Sequence, residues 1–176
     1  MSLGTNSNSR FPTAAQNPDH AILDTFNKQA YLGNQFVANS GLVTLGDTAE
    51  HTVLYLANPA GTTKSLFNSV RKLFAGDITN YIIFKIYSNP TVISGGTPAT
   101  PFNCRPASAN TSISTVLISP SDSTNGTLIA TFPVSLGYSP SDSESCLILD
   151  PGQSLLVTAK GSAATSCVAE FVWWEI

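Results

Sequence analysis

Charge is what this chain has least of. Asp, Glu, Lys and Arg make up 11% of its 176 residues, against roughly 25% in an ordinary globular chain. The formal net charge is −3, and the basic residues are scattered, with Arg71-Lys72 the one basic pair. That excludes the electrostatic footprint of a nucleic-acid binder. Long apolar runs are missing too; none approaches the roughly 20 residues of a membrane helix. The start, Met1-Ser2-Leu3-Gly4-Thr5-Asn6, lacks the basic and apolar regions of a secretory leader, so no signal peptide is expected.

Histidine and cysteine are scarce. His20 and His51 are the two histidines, and they fall in unrelated segments, which leaves no ligand cluster for a cupin-type metal enzyme. Three cysteines, Cys104, Cys146 and Cys167, are far apart with no CxxC pair, so no zinc site is expected. They read as small buried hydrophobes. Cys146 and Cys167 lie in or beside expected strands and could oppose each other, but synthesis in a reducing cytoplasm argues against a bridge. No HExxH, GxSxG, GxGxxG or P-loop occurs. The carboxylates Asp47, Asp77, Asp122, Asp142, Glu144 and Asp150 stand singly in turns, where Asp serves the backbone. Ser139 to Glu144 lacks the alternating ligands and glycine of an EF-hand loop. The chain is therefore expected to have no catalytic centre and no cofactor.

What remains is apolar and uncharged-polar. Hydrophobic residues reach 42%, and Ser, Thr and Asn supply the polarity. The length fits one domain with a real core. Residues 1–36 stand apart as an extended N-terminal arm, rich in Asn, Ser, Gln and Pro. Its apolar residues are isolated, apart from one helical spacing at Ile22, Leu23 and Phe26 with Asp19 as N-cap. Spaced aromatics in a polar segment suit a chain that docks on something, with Phe11, Phe26 and Tyr31 as anchors.

Residues 37–176 form short β runs between turn clusters. The runs are Val37–Leu45, His51–Asn58, Lys64–Ala75, Asn80–Ser88, Thr91–Ser94, Ile113–Ser119, Leu128–Leu136, Cys146–Leu149, Ser154–Lys160 and Cys167–Glu175. Gly95 to Asn110, with Pro98, Pro101 and Pro106, reads as a surface loop. Such spacing predicts an all-β fold, an antiparallel two-sheet sandwich or barrel. Leu128, Ala130, Phe132, Val134 and Leu136 alternate with more polar positions, so one side of that strand should face the core. The runs at 80–87 and 167–175 are apolar on both sides. A sandwich strand has one inward face, so the second face needs a cover, and a partner subunit is the favoured one. Tyr81, Ile83, Tyr87 and Trp174 are the candidate interface residues on those strands.

Val43-Thr44-Leu45-Gly46-Asp47-Thr48-Ala49-Glu50, then Val53-Leu54-Tyr55-Leu56-Ala57-Asn58-Pro59 with Gly61 and Lys64-Ser65-Leu66, resembles small structural proteins of tailed bacteriophages, of the head-decoration (cement) or fibre type. Gly126-Thr127-Leu128, the turn Asp150-Pro151-Gly152-Gln153-Ser154-Leu155 and a terminal strand ending Trp-Glu fit the same pattern. The resemblance covers roughly residues 40 to 176 and implies a jelly roll, a trimer and no catalysis. The expected function is a virion structural protein, a capsid decoration or cement protein that binds the major capsid protein as a homo-oligomer, assembled in the host cytoplasm, with no nucleic acid or membrane partner. The alternative is a receptor- or glycan-binding head of a phage fibre. A similar layout also occurs in trimeric heads of the tumour-necrosis-factor and C1q kind.

Overall fold

The computed structural model describes residues 27–76, 81–120, 122–124, 126–135 and 147–176. Residues 27–32 are helical. The helix stops because Gly33 adopts a left-handed φ of 75°. Gly33 N–H then donates to Ala30 O at 3.0 Å and Asn34 N–H to Gln29 O at 2.9 Å, the paired bonds of a Schellman end. The expected helix at Ile22, Leu23 and Phe26 lies outside the described residues.

Fourteen strands follow among the described residues: β1 Gln35–Asn39, β2 Val43–Leu45, β3 His51–Ala57, β4 Leu66–Ala75, β5 Ile82–Ser88, β6 Val92–Ser94, β7 Thr97–Pro98, β8 Phe102–Asn103, β9 Thr115–Ile118, β10 Asp122–Thr124, β11 Thr127–Val134, β12 Leu147–Leu149, β13 Ser154–Gly161 and β14 Thr165–Glu175. Sheet A has the order β12-β4-β14-β1-β8, with β2 also on β14. Sheet B has the order β11-β5-β13-β3-β9-β7, and β6 pairs β10 in a separate ribbon. All pairings are antiparallel. The two sheets pack face to face, as the strand spacing predicted.

The core lies between β14, central in sheet A, and β13, central in sheet B. From β14 come Trp173, Phe171, Ala169 and Cys167; from β13 come Leu155, Val157 and Ala159. Phe36, Leu54, Leu66, Leu73, Ile82, Phe84 and Ile86 close around them. The Phe36 and Trp173 rings sit 6.3 Å apart with a 30° tilt. A buried aromatic removes about 150–250 Å² from water, a gross gain of about 4–6 kcal/mol each before ordering costs. The alternation of period two in these strands is what puts these residues on one face.

The structure departs from the sequence expectation in four places. The sandwich begins at Gln35, not Val37, and Phe36 of the expected arm is in the core. The run Val37–Leu45 is two strands, broken where Gly41 takes φ 63° and Ala169 N–H donates to Ser40 Oγ at 3.0 Å. The Pro-rich loop carries two-residue strands at both sheet edges, β7 and β8, and Pro98 is tolerated because β7 is an edge. In β11 a bulge between Leu128 and Ala130 shifts the register. Ala130, Phe132 and Val134 stay against the core, while Leu128 and Ile129 are exposed. Leu136 lies outside the described residues.

Candidate interaction surfaces

The outer face of sheet B is sealed by a polar network. Register pairs Tyr87 with Leu156 and Lys85 with Thr158, so these side chains share the face turned away from the core. Leu156 is fully buried there and Thr158 nearly so. Glu50, immediately before β3, lies across them. Lys85 Nζ donates to Glu50 Oε2 at 2.6 Å. Tyr87 Oη donates to Oε1 at 3.0 Å and Thr158 Oγ1 to Oε1 at 2.6 Å. Burial pushes the Glu50 carboxyl up, but the bonds from Lys85, Thr158 and Tyr87 outweigh it and hold the pKa below the usual value. The hydrogen bond to Glu50 raises Lys85. Tyr87 is raised by burial and by its bond to Glu50.

Sheet A presents a different outer face. Ile148, Phe67, Trp174 and Gln35 lie side by side across β12, β4, β14 and β1. Val172, Val37 and Phe102 form the next row. Lys72, Glu170 and Asn39 form a third, and Phe74 with Val168 a fourth. Phe67 stacks on Trp174 at 5.7 Å and 2°. Lys72 and Glu170 pair at 2.9 Å, and Asn39 Nδ2 donates to Glu170 Oε2 at 3.3 Å. Phe102 is 58% exposed, Ile148 52% and Phe74 42%.

The candidate interface residues that are described do not come together. Phe11 and Phe26 lie outside the described residues. Tyr31 is exposed, with the Arg105 guanidinium 5.2 Å from its ring centroid and Arg105 Nη1 donating to Tyr31 O at 2.6 Å. Tyr81 is exposed ahead of β5, and Ile83 is half-buried. Tyr87 and Trp174 are each 6% exposed, which corrects the expectation that they offer open apolar surface. Tyr87 is roofed by its bond to Glu50, and Trp174 stacks on Phe67. They also sit on opposite sheets. The sequence reading missed Phe74, Phe102 and Ile148. Phe102 lies in the Pro-rich loop, Ile148 in a three-residue strand, and Phe74 in a run whose faces its composition did not separate.

Two buried polar residues also escaped the sequence reading. Asn58 Nδ2 donates to Lys64 O at 2.8 Å and Leu149 O at 2.9 Å, and its Oδ1 accepts from Thr62 Oγ1 at 2.7 Å. It stitches the turn after β3 to the end of β12. Glu175 turns inward at 1% exposure. Its carboxylate accepts from Ser112 Oγ, from Ile113 N–H at 3.1 Å and from Trp173 Nε1 at 3.3 Å, and so latches the loop before β9 to β14.

Of the histidines, His51 Nε2 lies 2.7 Å from Asp47 Oδ1 at the surface, and His20 lies outside the described residues. The Asp47 carboxyl is held low by the Ala49 backbone N–H and by His51. Cys167 is a free buried thiol, and burial pushes its pKa to about 12. Cys104 is free and half-buried, with its pKa raised by burial and by the nearby Glu170 charge. Cys146 lies outside the described residues. No group of three His, Cys, Asp or Glu able to hold a metal occurs among the described residues. No helix among them is long and apolar enough to cross a membrane. No protein-family model matches the chain, and no curated protein matches it.

Proposed function

We propose that this protein is a structural subunit of a tailed-phage virion, a decoration or cement protein that binds the major capsid protein as an oligomer. The observation that carries the reading is the strand order. Set aside β2 and β6 to β10, and eight principal strands remain. In chain rank, sheet A runs first, eighth, third, sixth, and sheet B runs second, seventh, fourth, fifth. The antiparallel pairs are then first with eighth, second with seventh, third with sixth and fourth with fifth. That is a four-pair ribbon wound over two sheets, which supports the jelly-roll reading, an architecture recurrent in capsid and lectin domains. The shared fold does not by itself assign a role. The second support is the surface: few charges, and apolar side chains left in water on the face of sheet A.

In this reading the arm, with Phe11 and Phe26, reaches the capsid or a neighbouring subunit, and Tyr31 marks where it leaves the sandwich. Trimerisation is the assembly proposed. The test is co-expression with the major capsid protein of the same phage, followed by sedimentation. A decoration protein travels with the shells at a fixed molar ratio. A protein that stays at the top of the gradient while the shells sediment overturns the proposal.

A further inference from the structure

We propose that the ribbon of β6 and β10 is a strap that lifts from and closes on the outer face of sheet B as one unit, hinged at Asn89-Pro90 and Ser119-Pro120. The device goes beyond the decoration reading and does not depend on it. Among the described residues, the ribbon's ladder joins neither sheet. It holds three residue pairs, Val92 with Thr124, Ile93 with Ser123 and Ser94 with Asp122. A two-stranded ribbon of that length is marginal by itself, so its closed position depends on where its ends are fixed.

Two nodes fix them. At the first, Asn89 N–H donates to Ser154 O at 2.9 Å, and Ser154 N–H donates to Asn89 Oδ1 at 2.9 Å. Gly126, between β10 and β11, crosses here, and a Cβ on it would collide with Ser88 O. At the second node, Ser119 N–H donates to Val53 O at 3.0 Å, and Thr52 Oγ1 donates to Pro120 O. Gly96, just after β6, crosses here, and a Cβ on it would lie 2.8 Å from Ile118 O. Each node thus joins an Xaa-Pro entry to a glycine exit.

Register places the strap. Ser88 pairs with Leu155, and Ile118 pairs with Leu54, itself opposite Val157. The nodes therefore straddle the outer-face row of Tyr87, Leu156, Tyr55 and Leu117. Thr52 lies opposite Thr158 on the same face, and Pro120, bonded to Thr52, is buried. Three inter-strand gaps and two residues along the strands separate the nodes by about 16 Å, while Asn89 to Gly96 can extend about 23 Å. The excess lets the chain arch over side chains. Beneath that path Leu156 is fully buried and Tyr87 nearly so.

Two tendencies oppose each other. Closure keeps Leu156 and Tyr87 from water. Opening relieves the backbone: Asn89 at φ 49° and Ser119 at φ 46° are the two non-glycine residues with positive φ among the described residues. Both precede proline, which narrows the conformations open to them. Such outliers persist where surrounding contacts impose them, and they gather at switches. Here the imposing contacts are the nodes. Because β6 and β10 pair with each other and with no further described strand, release of the nodes frees both together.

The experiment is native-state hydrogen exchange of the full chain in low urea, read by peptide mass spectrometry. Peptides carrying β6 and β10 should share one opening, at least about 100-fold more frequent than that of β13. Thr52→Val and Asn89→Ala each remove a bond at one node. Each should speed exchange in both strands alike, by about 3- to 10-fold. Leu156→Cys places a thiol beneath the strap. Its labelling should outpace that of the buried Cys167 by about 100-fold or more, because the strap lifts without unfolding the core. Circular dichroism establishes that each variant is folded, and the wild-type exchange pattern needs no variant. Exchange of β6 and β10 at the rate of β13, or at the rate of an open chain, overturns the proposal. So does a node variant that speeds one strand and not the other, or Leu156→Cys labelling no faster than that of Cys167.

Discussion

Replacing Glu50 with Gln tests whether the roof over sheet B stabilises the fold. The carboxylate takes three side-chain hydrogen bonds through two oxygens. Gln offers one acceptor oxygen and turns an NH2 toward either Lys85 Nζ or the two hydroxyls. Thr158 is 2% exposed, so its hydroxyl has little recourse to water, and stranding such a donor costs about 1–3 kcal/mol. Lys85 is partly exposed and can turn to solvent, so losing its partner adds only about 0.5–1 kcal/mol. The expected loss is about 2–3 kcal/mol, or about 4–12 °C in Tm for a chain of this size. The pH dependence has a definite sign. Glu50 is held below its ordinary value, so its contribution is present above the unfolded pKa near 4.5 and disappears as pH falls through the lower folded value. Lys85 and Tyr87 are raised, so their contributions are present below about pH 10 and are lost as pH rises through the folded values. Urea unfolding of wild type and Glu50→Gln should therefore differ most between about pH 5 and 9 and converge in acid. A variant within about 0.5 kcal/mol of wild type at pH 7, or a difference that persists undiminished at pH 3, would refute the argument.

Three further outcomes are expected. Trp173→Ala, fully buried against Phe36, should cost about 3–5 kcal/mol in chemical denaturation; a loss under about 1 kcal/mol would mean the two sheets do not meet there. Glu175→Ala strands the Ser112, Ile113 and Trp173 donors and should cost about 2–3 kcal/mol, with faster amide exchange at Ile113; unchanged exchange would deny the latch. Cys167, with its thiol pKa pushed to about 12, should resist thiol reagents at pH 8 until the protein unfolds, while Cys104 reacts in the native state. Labelling of Cys167 at the rate of Cys104, read by peptide mass spectrometry, would contradict its burial.

The sandwich was legible because β5, β13 and β14 are apolar runs of strand length bounded by turn residues at Asn89-Pro90, Asp150-Pro151-Gly152 and Gly161. The sheet edges were not. β7 and β8 are two residues each, too short for any periodicity, and they sit among prolines. The β11 bulge takes Leu128 off the core-facing side that Ala130 keeps, and a bulge leaves no mark in an apolar alternation. Apolar residues on the second faces of β5 and β14 were visible as a pattern. Their finish was not, because the closing groups come from afar: Glu50 lies 35 positions from Lys85 and 108 from Thr158. Beside His51, Glu50 looks like an ordinary solvated strand-edge residue. Exposure at Phe102 and Ile148 depends on which strands stand at the edges of sheet A, and strand order is not written locally.

The pairing of first strand with last has a consequence for synthesis. Gln35 pairs with Trp174 and Asn39 with Glu170, so β1 leaves the ribosome long before its neighbour exists. β4 waits as well, since β14 lies between it and β1. Until β14 emerges, Phe36, Leu66 and Leu73 lack the strand that stands between theirs, and two strand edges stand open. Such non-local closure makes folding slow and exposes the nascent chain to aggregation. A stop codon just before Thr165 would thus remove the central strand of one sheet rather than trim an end, and ribosome stalling near Gly161 should recruit chaperones more strongly than stalling anywhere earlier.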